Sequence, residues 1–114
     1  MELGLATRVV DGRTVLELAG EIDSYTAPTL RERIIALVQG GVTALIIDLT
    51  RVEFLDSTGL GVLVGALKRL RGVGGVLVLV CDQEALLKIF RITALDRVFT
   101  IQDSVEAALT SDAR

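Results

Sequence analysis

The chain has 114 residues, of which 51% are hydrophobic and 24% charged, with a net charge of −3. This describes one globular domain, residues 1–114, whose core is large enough to fold without metal or disulfide, and it excludes a disordered chain. The slight acidity, with no run of like charge, argues against nucleic acid as a partner.

Residues 3–9 read as a strand, Asp11-Gly12 as a turn, and residues 14–18 (TVLEL) as a second strand, together a hairpin. Residues 20–26 read as a polar turn. Pro28 suits the first turn of a helix, where its missing N–H has no partner to lose. Leu30, Ile34, Leu37 and Val38 then recur at helical spacing until Gly40-Gly41. Residues 44–49 (ALIIDL) form a nearly continuous apolar run, as in a central strand covered on both faces. Residues 50–56 read as a connection. A second helix follows, with Leu60, Leu63, Val64, Leu67 and Leu70 on one face. Lys68, Arg69 and Arg71 near its end suit the helix dipole and read as a solvated terminus. Residues 72–75 break it, and residues 75–80 (GVLVLV) form another buried strand. Residues 84–90 read as a short helix with Leu86, Ile89 and Phe90 inward. Residues 97–101 read as a last strand, and residues 103–109 as a final helix capped by Asp103 or Ser104. The tail, residues 111–114, is expected to fray. The order β-β-α-β-α-β-α-β-α implies an α/β domain. Its mixed sheet has about five strands, with an antiparallel N-terminal hairpin and about four helices. With 4% aromatic residues and no tryptophan, the core must be aliphatic.

Histidine is absent, so neither a Ser-His-Asp triad nor a His-ligated zinc site can be built. Acid–base work near neutral pH would fall to a shifted carboxylate or lysine. An enzyme using Ser57 as nucleophile would lack its usual base, so the chain reads as no enzyme, with no cofactor and no metal. Cys81 is the single cysteine, and no activating base stands near it in sequence. The lack of an intrachain disulfide fits a reducing, cytoplasmic setting. No signal peptide and no membrane insertion are expected from the start of the chain or its apolar stretches.

The stretch from Asp48 to Lys68 (DLTRVEFLDSTGLGVLVGALK) carries the chemistry. A buried strand leads through a loop into a helix at Asp56-Ser57-Thr58-Gly59, beyond the carboxyl end of the sheet, where ligand sites of such folds gather. A phosphate on Ser57 could accept the unpaired N–H groups of the helix start. It would add about −1.5 to −2 charges beside Asp56. On spacing alone, ordinary N-cap residues are the simpler reading. Gly59, Gly61 and Gly65 lack a GxxxxGK[ST] phosphate-loop signature and read as permitting close helix–sheet packing. From the residues alone, Asp23 reads more simply as a turn residue capping the helix after it than as a contact for a partner's basic residues.

Three segments together resemble the STAS domain family, in its anti-sigma factor antagonist form. They are Gly20-Glu21-Ile22-Asp23 followed by Ala27-Pro28-Thr29-Leu30; Asp48-Leu49 with Asp56-Ser57-Thr58-Gly59-Leu60-Gly61; and the segment from Ile92 to Phe99. The resemblance implies a partner switch in transcription regulation, of the kind used in stress response and sporulation. Unphosphorylated, such a protein binds an anti-sigma factor serine kinase and frees a sigma factor. Phosphorylation at Ser57 ends the binding, and a PP2C-type serine phosphatase resets it. Asp23 and Asp56 would lie beside the phosphoacceptor and engage the kinase, with Glu21 less directly involved. Thr58, Gly59 and Leu60 would form the contact turn, with Thr58 as a second hydroxyl. The alternative within the family is a STAS scaffold or accessory subunit of a stress-signalling assembly or transporter.

Overall fold

A computed structural model describes residues 2–111. In chain order it contains β1 (Leu3–Val10), β2 (Arg13–Ile22), α1 (Ala27–Gln39), β3 (Ala44–Leu55), α2 (Ser57–Gly72), β4 (Val76–Val80), α3 (Glu84–Ile92), β5 (Thr100–Gln102) and α4 (Val105–Leu109). Asp11 and Gly12 both take positive φ, 51° and 77°, as the tight turn between twisted antiparallel strands requires. The strands lie in the order β1-β2-β3-β4-β5, with β1 antiparallel to β2 and every other neighbouring pair parallel. The expected mixed sheet, hairpin and helical crossovers are all present.

The aliphatic runs alternate between two cores. Leu16, Leu18, Leu45, Ile47, Leu49, Leu77 and Leu79 face the layer formed by α1, α2 and α3. Val15, Ile46, Val78 and Val80 face the opposite way, against Ala108 of α4. A strand covered on both sides needs apolar residues at every position, which is why ALIIDL and VLVLV do not alternate. Among the described residues no helix covers the second face on the β1 side, and Arg8 and Glu17 there form an ion pair (3.5 Å).

Several boundaries differ from those expected. Residues 20–22 belong to β2, and residues 50–55 belong to β3, which runs for 12 residues. Gly20, Glu21, Thr50, Arg51 and Glu53 mask this extension in the sequence, while the backbone pairing of Glu21 with Phe54 and Ile22 with Leu55 holds it. Two register irregularities, between Glu17 and Ala19 and between Gly20 and Glu21, bend the pair as it leaves the sheet centre. β5 starts at Thr100, not at Arg97. Leu95–Arg97 is a 3-10 turn that turns Phe99 inward, edge-on to Phe90 with ring centroids 5.9 Å apart. α3 runs two residues further, to Ile92. α4 begins at Val105, and Ser104 rather than Asp103 caps it, its side chain accepting the Ala107 N–H (3.1 Å). Of the tail expected to fray, residues 112–114 lie outside the described residues, and the Ser111 N–H donates to the Ala108 carbonyl (3.2 Å).

β4 pairs with β3 only as far as Asp48, so the rest of β3 loses its neighbour on that side. Gln83 replaces it. Its Nε2 donates to the carbonyls of Leu49 (2.7 Å) and Val52 (2.8 Å), while its Oε1 accepts the Asp82 N–H (3.1 Å). Gln83→Ala leaves those two carbonyls without their donors. We expect urea unfolding to show a loss of about 1–3 kcal/mol, and a loss under about 0.5 kcal/mol, the range of an ordinary surface substitution, would remove Gln83 as the brace of β3.

Candidate phosphorylation and docking site

Parallel pairing brings the ends of β2 and β3 together. Ile22 is the register partner of Leu55, so Asp23 and Asp56 each step off neighbouring strands at the same edge of the sheet. The Asp56 N–H donates to the Ile22 carbonyl (3.2 Å), tying the two exits to each other.

Asp56 is the N-cap of α2, and its carboxylate accepts the Gly59 N–H (3.0 Å). Its carbonyl accepts the Leu60 N–H (3.0 Å). Among the described residues the N–H groups of Ser57 and Thr58 have no acceptor. They point out of the helix start, where the dipole favours an anion. Ser57 and Thr58 are both exposed. Gly59 is buried, and Leu60 is only 8% exposed. Two residues expected on the contact turn therefore support it from beneath instead of presenting surface.

The glycines divide. A Cβ on Gly59 would stand 2.6 Å from Ile22 Cγ2 and 2.6 Å from Leu55 Cδ1, so α2 can start this close to the strands only without a side chain there. At Gly61 and Gly65 a Cβ would meet nothing within 4 Å. The expected close-packing role holds for Gly59 and fails for the other two, which face outward.

Asp23 shapes the turn before α1. Its Oδ1 accepts the N–H groups of Tyr25 (2.9 Å) and Thr26 (2.9 Å). The Thr26 hydroxyl donates to the Glu21 carbonyl (2.8 Å) and accepts the Asp23 N–H (3.0 Å). Asp23 thus holds the loop ahead of α1, while Thr26 occupies the cap position. The N–H bond from Thr26, then that from Tyr25, stabilises the charged carboxylate against the opposing cost of burial and holds its pKa below the ordinary value. None of these bonds reaches Oδ2, and no buried side-chain oxygen among the described residues lacks a partner, so that oxygen keeps some contact with solvent although Asp23 as a whole is only 9% exposed. Glu21 is partly buried at the end of β2.

Two residues at this edge escaped the sequence reading. Tyr25 is 81% exposed on the Asp23 turn, and Phe54 is 45% exposed two residues before Asp56. The chain has only one tyrosine and three phenylalanines, and two of these four flank the Ser57 turn. Exposed aromatics are what docking surfaces use as anchors. The available signal was their adjacency to both motif aspartates in an aromatic-poor chain. Cys81 is buried, and burial pushes its thiol pKa up, so it stays protonated and unreactive. Among the described residues no group of His, Cys, Asp and Glu could hold a metal ion, and no helix is long and apolar enough to cross a membrane.

Two outcomes follow from this geometry. Gly59→Ala should destabilise the domain by about 1 kcal/mol, because overpacking outweighs the usual helix gain. Gly61→Ala and Gly65→Ala should instead stabilise it by about 0.5–1 kcal/mol. Thermal unfolding of the three variants checks the sign at each position. For Asp23, whose pKa is lowered in the folded state, the stabilisation is complete above the unfolded-state value of about 3.9 and is lost as pH falls through the folded value. Wild type should therefore lose urea stability on acidification more steeply than Asp23→Asn; parallel acid profiles would contradict the role given to this carboxylate.

The family model described as "STAS domain" matches residues 5–108. The anti-sigma-B factor antagonist of Bacillus subtilis is 42% identical over 94 residues, covering 82% of this chain and 85% of that one. A crystal structure of an anti-sigma factor antagonist from Mycobacterium paratuberculosis superposes with a TM-score of 0.88 at 35% identity, covering 96% of this chain and 92% of the other. The Bacillus cell fate determinant SpoIIAA in its phosphorylated form superposes with a TM-score of 0.71 at 27% identity, covering 91% and 96%. The chain belongs to the STAS domain family, alongside its anti-sigma factor antagonists.

Proposed function

We propose that this chain is a phosphorylation-controlled partner switch acting on an anti-sigma factor serine kinase in the cytoplasm. The unphosphorylated form binds the kinase and frees its sigma factor. The kinase then transfers the γ-phosphoryl group of ATP to Ser57 Oγ. The hydroxyl proton is released and ADP leaves, and the complex dissociates. A PP2C-type serine phosphatase hydrolyses the phosphoester with water and restores the binding form.

One observation carries this reading: Ser57 is exposed at the start of α2, beside two backbone N–H groups without acceptors. A phosphate there can be held by the helix start without disturbing the core beneath it. The change falls instead on the surface, where about −1.5 to −2 charges appear next to Asp56 and near the open oxygen of Asp23. A partner that meets this edge through cations and the exposed rings of Tyr25 and Phe54 gains from the two aspartates. It is then displaced by the bulk and hydration of the phosphate. The antagonist relatives, and the phosphorylated form of one structural neighbour, support the same reading.

The test uses the purified chain, its cognate anti-sigma factor and ATP. One phosphate should appear on wild type and none on Ser57→Ala; equal labelling of the two would reassign the site, with Thr58 the first position to examine. Ser57→Asp should bind the unphosphorylated-form partner at least about tenfold more weakly, as desolvated like charges at an interface cost several kcal/mol. If Ser57→Ala and Ser57→Asp bind equally well, the chain is better described as a STAS scaffold or accessory subunit.

A further inference from the structure

Beside the Ser57 turn, α1 and α2 pack against each other and leave an open groove of about 200 Å³. Gly61 and Gly65 form part of its floor, Ile34 and Val62 contribute aliphatic wall, and Arg31 and Arg69 stand on its rim. A second hollow of about 260 Å³ shares Arg31, Thr58 and Val62 with it and extends to Ser24 and Pro28. The two form one channel, from the Asp23 turn past Thr58 to the last turns of α2.

The charge of this channel is opposite to that of the molecule. Its charged lining residues are Arg31 and Arg69 against one carboxylate, Glu32 in the second hollow, in a chain of net charge −3. Among the described residues the ion pairs are Arg8–Glu17 and Arg91–Glu84, so Arg31 and Arg69 have no anionic partner there. The floor is open as well: nothing in the fold requires Gly61 or Gly65 to lack a side chain, although each glycine costs a helix about 0.5–1 kcal/mol relative to alanine.

We infer that this channel receives an acidic segment of the same anti-sigma partner, with Arg31 and Arg69 steering and holding it. The inference rests on the partner reading above. Continuity through Thr58 means that a protein seated on the Ser57 turn lies over the channel mouth. The aliphatic walls and the length of the channel suit a polypeptide with carboxylates along its edges. They do not suit a nucleotide, because the ring systems that could stack a base are elsewhere. Tyr25, on the Asp23 turn, and Phe54, near the end of β3, line neither hollow, and Phe90 and Phe99 pack together in the core. Lys68, Arg69 and Arg71 were expected to be a solvated helix end; on this reading Arg69 is a contact residue.

The experiment compares charge changes of equal size in two places. Arg31→Glu should slow association with the anti-sigma factor about tenfold at low salt and flatten the salt dependence of binding. Lys88→Glu, on exposed α3 away from the channel, should do neither. Arg69→Gln should slow association about threefold while keeping helix propensity, which guards against a folding defect. Circular dichroism should be unchanged in all three variants. The amide resonances of Gly61 and Gly65 should shift when the partner is added. Equal association rates for Arg31→Glu and Lys88→Glu would overturn the inference, as would shifts of the same size with ATP alone, which would make the channel a site for a free anion. Ser57→Asp separates the two levels. If it releases the partner while Arg31→Glu does not slow binding, only the channel assignment falls. If it fails to release the partner, the switch reading falls first.

Discussion

At the carboxyl ends of β2 and β3, Ile22 lies beside Leu55, and the Asp56 N–H closes onto the Ile22 carbonyl at 3.2 Å. Gly59 then sets the first turn of α2 against those same two side chains, at a spacing that leaves no room for a Cβ. The site depends on this junction. It puts the Asp23 turn and the Asp56 cap at one edge although they are 33 positions apart in the chain. It also fixes where the open amides of α2 point. Parallel strands meet this way only after a helical crossover, so α1 is as necessary to the site as the residues in it. Gln83 completes the arrangement by supplying donors to β3 where β4 has ended.

The two aspartates do different work despite similar positions. Asp56 satisfies one helix amide and leaves two others open beside Ser57. Asp23 commits one oxygen to its own loop and leaves the other unbonded, with some contact with solvent. A carboxylate held by backbone N–H groups stays ionised across the neutral range, so the edge carries constant negative charge before any modification. On the proposed switch, a phosphate on Ser57 would add to an existing field without rearranging the fold, because a helix terminus already turned outward can receive the anion. The basic channel between α1 and α2 lies next to this acidic edge. A partner crossing both meets a change of sign along its docking path, which gives orientation as well as attraction.

Much of the fold was legible because the physics behind it is local. Aliphatic runs at 44–49 and 75–80 can be stable only when covered on both faces, and the helices announce themselves by apolar spacing with glycine stops. The places where the reading fell short share a cause. Residues 20–22 and 50–55 are strand because of pairing across the sheet, and the glycine and charged residues interrupting their apolar positions hide it from a local reading. Residues 97–99 read as strand in the sequence, but Phe99 goes inward to meet Phe90, and the backbone turns to allow it. Gly61 and Gly65 were grouped with Gly59 by spacing, though helical rotation directs them away from the sheet.

By itself the sequence determined the order of elements, the aliphatic core, the exclusion of histidine chemistry and the helix start at Ser57, since each follows from composition or from contacts within a few residues. Three matched segments supplied the family. Only the tertiary structure decided which of these residues face solvent, because burial depends on what packs across from a residue, and one helix can turn neighbouring glycines toward opposite surroundings. It buried Gly59 and Leu60, exposed Tyr25 and Phe54, and set Arg31 of one helix across a groove from Arg69 of another.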